Sequence, residues 1–456
     1  MTSSFVQQLA YQPDSALRFA ALLKDAWPVF LDSGHPHIHQ GRYDILSADP
    51  LTTLVTHGGN TRIRSARGER ISQADPLALV GEILGAPRTN TTELPFIGGA
   101  IGYFGYDLAR RLRRLPSRAQ NTENIPEMAI GFYDWALVVD HQEQSAHLVG
   151  TNSARLAHYA AQFAHAETTV NTQHSMRYRV REPVRTNMTR AQYLAAIARI
   201  QRYLVAGDCY QVNLARRFAV EADGDPWNAY QRLRVLNPAP FSAYFAPAEC
   251  QVLCSSPERF LQVRNGMVKT QPIKGTCPRS SHASHDEQLA QTLQRSPKNR
   301  AENLMIVDLL RNDLGQVCIP GSIRVPQLFT IESYTRVHHL VSTITGQLTA
   351  QHSALDLLRA CFPGGSITGA PKQRAMEIIE ELEPQRRGVY CGAMGYLGYD
   401  GAMDTNIAIR TLIHSAGSTR FWAGGGIVAD SNAADEYEET ADKAAALLEL
   451  LEQMRN

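Results

Sequence analysis

Gly99-Ala100-Ile101-Gly102-Tyr103-Phe104-Gly105-Tyr106-Asp107 recurs near the other end of the chain as Gly392-Ala393-Met394-Gly395-Tyr396-Leu397-Gly398-Tyr399-Asp400. A short Gly-Tyr echo arises by chance, but not readily one of this length. Glycines at matching positions of an apolar run suit a core strand that another backbone or a ligand approaches closely. The echo therefore reads as the trace of two structurally related halves, each using the segment as a core strand.

Between the halves, residues 166–187 are polar, rich in Thr, Gln and Arg, and read as a linker. It separates an N-terminal region, 1–165, from a larger region, 188–456. The larger region opens on a helix: Thr189 and Gln192 form a capping box, and Tyr193, Ile197, Ile200 and Leu204 make one apolar stripe that ends at Gly207. Further helices are expected over Lys298–Asn312, Pro371–Leu382 and Ala434–Met454, with strands at 267–271 and Thr405–Ile413 among the runs between them. Strands and helices interleave without regular βαβ spacing, so the expected class is α+β with large antiparallel sheets.

Bulk properties exclude several functions. The 456 residues are 44% hydrophobic and 20% charged, and 45 basic residues against 44 acidic ones leave a net charge of +1. No global field recruits nucleic acid or an anionic membrane. The seven cysteines are scattered, with no CxxC pair, which argues against zinc and for reduced thiols. No signal pattern opens the chain and no apolar run approaches a membrane span, so a cytoplasmic protein is expected.

Four constellations carry chemistry. Lys274, in Pro272-Ile273-Lys274-Gly275-Thr276, follows a strand-like run and sits between a rigid Pro-Ile and a permissive Gly. Such a backbone can aim one side chain into a cleft, although a lone Lys-Gly is more often a solvated turn. The loop Phe362–Lys372 offers free N–H groups and a helix start to an anion, and its Ala370-Pro371 rules out a P-loop. Glu302 shares a helical face with Met305, Ile306 and Leu309, while Glu436 and Glu439 stand at i and i+3. Those three carboxylates suit Mg²⁺ bridging to an anionic substrate, or are merely helix-start charges. Arg410 lies in an apolar strand, where a substrate carboxylate or an internal salt bridge would satisfy it, and Gly424-Gly425-Gly426 follows it. His339 and Glu258 are acid–base candidates.

In order and length these motifs resemble the chorismate-utilising enzymes over nearly the whole chain, most strongly from Asp208 onward. The resemblance implies a large two-lobed α/β sandwich of antiparallel sheets with outer helices and an active site in the central cleft. It implies chorismate as substrate, Mg²⁺ as cofactor, and Glu302 and Glu439 as metal ligands with Glu436 beside them. Some relatives carry another acid one helical turn earlier, where this chain has Asn299. Gln211, Thr276, Ser366, Thr368 and Gly369 would stand around the substrate with Tyr396, Arg410, Gly425, Gly426 and Lys443. Lys274 together with Gln211 resembles the aminodeoxychorismate-forming branch, whereas anthranilate and isochorismate synthases tend to alanine at the lysine position. In that branch Lys274 would be a covalent nucleophile, with Glu258 and His339 as the other catalytic groups. No glutaminase segment is present, so ammonia is expected from a separate glutamine amidotransferase subunit. Ser33, Arg42 and Tyr43 with Pro240, Phe241 and Ser242 resemble the pocket that binds L-tryptophan in relatives. The alternatives are isochorismate- or anthranilate-type chemistry, a pyridoxal-phosphate enzyme built on Lys274, or a regulatory subunit without turnover.

Overall fold

A computed structural model describes residues 5–168 and 176–455. Its described strands form two antiparallel sheets, one of thirteen strands and one of twelve. The larger sheet runs from Phe5–Leu9 through Val29–Asp32 to Phe241–Phe245, and on to Ser418–Ile427 and Gln211–Asp223. The smaller runs from Ile273–Pro278 through Met403–Ile407 and Ala393–Gly398 to Gly99–Phe104 and Gly68–Ser72. Each sheet is therefore built partly from residues before the linker and partly from residues after it.

The glycine echo joins the two parts of the smaller sheet. Strand Gly99–Phe104 pairs antiparallel with Ala393–Gly398, and Gly102 lies opposite Gly395. A Cβ on Gly102 would fall 2.1 Å from the Ala129 carbonyl oxygen, and one on Gly395 would fall 2.0 Å from that of Asp404. Only glycine lets the flanking strands close to hydrogen-bonding distance there.

Period-2 patterning sets the layers. Val29, Ile45 and Ile413 enter the core shared by the two sheets, whereas their neighbours Phe30, Leu46 and Leu412 enter a second core beneath outer helices. The C-terminal helix Ala433–Gln453 seals that second core with Ala444, Leu447, Leu450 and Leu451. Asn432 caps it, its Oδ1 accepting from the amides of Ala434 and Asp435. The capping box at Thr189 and Gln192 is formed in both directions, and the helix it starts spans Arg190–Val205. The expected helix at 298–312 extends to Pro297–Gly315, and Pro371 caps its helix, Lys372–Leu382, from outside.

One sequence expectation needs revision. Of the expected linker 166–187, residues 169–175 lie outside the described residues, and two short segments of the remainder are strands. Arg179–Val180 and Arg185–Thr186 both pair with Gln211–Asp223. The strand expected over Thr405–Ile413 is two strands, Met403–Ile407 and Thr411–Ser415, in different sheets. Ala408 to Arg410 cross between them, and Arg410 takes a positive φ of 50°. Beside them Pro257 and Glu258 make the same crossing from Gln251–Ser256 to Arg259–Arg264. The crossings are tied by Ile407 N–H donating to the Glu258 carbonyl at 3.0 Å and Ser255 N–H to that of Arg410 at 3.1 Å. Glu258 and Arg410 thus sit at one corner between the sheets, on a backbone held by its neighbour. No described helix is long and apolar enough to cross a membrane.

Candidate active site

Lys274 projects from the strand Ile273–Pro278 and donates to the Ser366 carbonyl at 2.9 Å. The Ser366 hydroxyl donates to Glu258 Oε1 at 2.7 Å, so one serine links the amine to the acid. Burial lowers the Lys274 pKa; Glu302, Glu258 and Glu439 pull it back, and Lys443 adds to the fall. Burial pushes the Glu258 carboxyl up to about 7, against the Ser366 hydrogen bond and the Lys274 ammonium. A half-neutral acid near pH 7 beside an amine biased toward its free-base form is what paired nucleophile and proton donor require.

Around this pair the loop Gly364–Ala370 closes on the strand that begins at Gln211. Gln211 is fully buried, and a Cβ on Gly426 would fall 2.5 Å from its Nε2. One on Gly369 would fall 2.1 Å from the Gln211 carbonyl oxygen. Thr368 Oγ1 donates to the Gly364 carbonyl at 2.9 Å and fastens the loop on itself. His339 and Thr276 share a hydrogen bond of 2.8 Å. Burial, with Arg410 and His338 adding to it, lowers the His339 pKa to about 3, so the imidazole is neutral at pH 7. Arg410 has no ion-pair partner among the described residues, and burial lowers its pKa with no carboxylate to offset it. An unpaired, half-buried guanidinium is chemically suited to an anionic ligand.

The carboxylates gather around Gly425. Its Cβ position lies 3.1 Å from Glu436 Oε2, 3.4 Å from Glu439 Oε1 and 3.7 Å from Lys443 Nζ. Burial raises the Glu436 carboxyl, and the Glu439 charge adds to the rise. Burial also raises Glu302, with Glu436 and Glu439 repelling its charge while Lys274 and Lys298 attract it. Glu439 is half exposed, and Lys443 at 2.6 Å outweighs its partial burial and holds it below the ordinary value. No three acidic, His or Cys side chains of the described residues stand close enough to ligate one ion, and ammonium groups occupy part of the space. The donor set itself is all oxygen, and the mutual repulsion of its carboxylates is what a bound divalent cation relieves, so the residues fit Mg²⁺ in kind.

A model of the chorismate binding enzyme family matches residues 32–449. The chain belongs to the chorismate binding enzyme family. Among relatives of this family member, aminodeoxychorismate synthase component 1 of Klebsiella aerogenes is 50% identical, over 99% of this chain and all of that one. The protein of the same name from Escherichia coli is 46% identical, over 99% of each. Of solved structures, anthranilate synthase component I from Streptococcus pneumoniae superposes with a TM-score of 0.80 at 32% identity, over 90% of this chain and 93% of that one.

A cavity of about 690 Å³ lies between the sheets, and Tyr396 is in its wall together with Ile273, the neighbour of Lys274. Met394 and Tyr396 line it with their cross-strand partners Asn406 and Asp404. The cavity also gathers all six residues of the expected amino-acid pocket, Ser33, Arg42, Tyr43, Pro240, Phe241 and Ser242. Ser33 donates from both N–H and Oγ to Asp44 at 2.7 Å, and Arg42 pairs with Asp140 at 2.8 Å. Arg259 pairs there with Asp404 at 3.0 Å and lies over the Phe241 ring.

Sequence reasoning missed Asn213 and Lys298. Asn213 is two residues after Gln211 on a strand, hence on the same face, and its Oδ1 accepts from Gln211 Nε2 at 3.0 Å. Lys298 is one helical turn before Glu302 and reaches Glu436 at 3.6 Å. Both spacings were legible.

Proposed function

We propose that the chain converts chorismate and ammonia into 4-amino-4-deoxychorismate and water, with a separate glutamine amidotransferase subunit supplying the ammonia. The observation that carries this reading is the serine bridge between Lys274 and Glu258. Full-length relatives that are named aminodeoxychorismate synthase component 1 and are 46–50% identical to the chain support it.

In this reading Lys274, as the free amine, forms a bond to C2 of chorismate. Both ring double bonds shift, C1=C2 to C1=C6 and C5=C6 to C4=C5, the C4–O bond breaks, and the hydroxyl leaves as water with a proton from Glu258. Ammonia then bonds to C4, both double bonds shift back, and the C2–N bond breaks to return the lysine. Arg410 receives a substrate carboxylate, and Gly425 and Gly426 keep the floor of the cleft free of side chains. Neutral His339 serves as a hydrogen-bonding group rather than a cationic acid. Glu302, Glu436 and Glu439 would hold Mg²⁺, which when bound supplies positive charge against a carboxylate of the substrate. The second cavity would hold a free amino acid such as L-tryptophan.

Incubation with chorismate and ammonium, followed by product mass, tests the reading. The expected product contains nitrogen at C4 and retains the enolpyruvyl group. Isochorismate without nitrogen, or anthranilate as sole product, would overturn it.

A further inference from the structure

The Ser366 carbonyl oxygen accepts two hydrogen bonds, from Lys274 Nζ at 2.9 Å and from Asn213 Nδ2 at 3.0 Å. A peptide carbonyl can only accept, so Asn213 must turn its NH₂ toward Ser366. Asn213 Oδ1 then faces Gln211, which must meet it with Nε2. Both amides are thereby oriented, and Gln211 Oε1 is left buried without a protein partner. The Asn213 backbone is pinned as well. Its N–H donates to the Thr368 carbonyl at 2.9 Å, and its carbonyl accepts from the buried Arg387 guanidinium at 3.0 Å.

We propose that Asn213 is a positioning residue for Lys274: it occupies one lone pair of the Ser366 carbonyl, so that oxygen stays paired when the amine leaves it to attack. The inference rests on Lys274 being the nucleophile. Without Asn213, each departure of Lys274 strands a buried carbonyl, which costs what an unmade hydrogen bond costs. An oxygen already engaged by one donor also holds a second less tightly, which favours release of the amine. The unpaired Gln211 Oε1 extends the relay toward the ligand. A hydroxyl or N–H arriving there polarises the Gln211 amide and tightens the chain through Asn213 to Ser366.

Two full-length variants test this. Asn213→Leu removes both hydrogen bonds at similar volume, and Asn213→Asp keeps the shape but sets an acceptor against the carbonyl. Turnover is measured with chorismate and ammonium. Lys274 reactivity is measured without substrate, by trace acetylation with acetic anhydride and peptide mass, relative to the exposed Lys24. The expected result is a fall in kcat of about tenfold for the Leu variant and more for the Asp variant, with KM for chorismate within about twofold. Acetylation of Lys274 should slow in parallel. A fall in kcat with Lys274 acetylation unchanged would make Asn213 merely structural and overturn the proposal. Wild-type turnover and acetylation in both variants, against an inactive Lys274→Ala, would overturn the relay alone. Full turnover of Lys274→Ala would remove the nucleophile and the relay together.

Discussion

Replacing Glu258 by Gln separates the charge of this side chain from its shape. The residue is 5% exposed, and burial raises its carboxyl from an ordinary 4.5 to about 7, with the pull of Ser366 and Lys274 already contained in that value. The folded protein therefore keeps this proton over a pH range in which the unfolded chain has lost it. The stabilisation from holding the neutral acid is fully present below about pH 4.5 and is lost as pH rises through about 7. Above that, the ionised carboxylate costs the fold about 3 kcal/mol relative to a neutral group, from roughly 1.4 kcal/mol per pH unit of displacement. Gln retains an oxygen for the Ser366 hydroxyl and carries no charge. The variant should match wild type in stability near pH 5 and exceed it by about 3 kcal/mol near pH 9, as a gap in Tm that opens with pH. Turnover should move the other way. Wild-type rate should fall above about pH 7 as the proton donor ionises, and the Gln variant should lose about 10²- to 10⁴-fold throughout. Paired calorimetric melts and initial rates from pH 5 to 9 read both effects. A Tm gap that stays flat across that range would refute the buried, proton-holding acid.

Arg410→Ala should raise KM for chorismate by about ten- to a hundredfold, the range for a hydrogen bond to a charged group, while leaving Tm unchanged or higher. A fall in Tm would show that the guanidinium has a structural partner. Gly425→Ala places a methyl 3.1 Å from Glu436 and 3.4 Å from Glu439. The Mg²⁺ concentration for half-maximal rate should rise severalfold, read from a metal titration of activity. L-Tryptophan titrated into ligand-free protein should give saturable heat from the cavity beside Ser33 and Tyr43, and a flat calorimetric trace would remove that occupant.

How far the sequence could be read depends on which physical signal each residue leaves. The glycine echo exposed the seam of the smaller sheet, because only close backbone approach demands glycine at matching positions in two distant strands. The capping box at Thr189 and the carboxylates of the last helix were legible because helical spacing fixes a face. The break at Ala408 to Arg410 was not, since apolar residues continue through Ile407 and Ile409 while the chain changes sheets. Only the positive φ at Arg410 marks the crossing, and it leaves no compositional trace. The cavity that Tyr396 lines was only partly legible, because its walls come from strands far apart in the chain. Asn213 carried a readable signal in its spacing from Gln211, and Lys298 in its spacing from Glu302.

The most direct test of the account is the Lys274 bond itself. Protein mixed with chorismate under limiting ammonium, acid-quenched within one turnover and digested, should yield the Lys274 peptide carrying the mass of chorismate less one water. Addition of excess ammonium should discharge that adduct as aminodeoxychorismate. Turnover at full rate with the Lys274 peptide unmodified at every quench time would contradict covalent catalysis by this lysine.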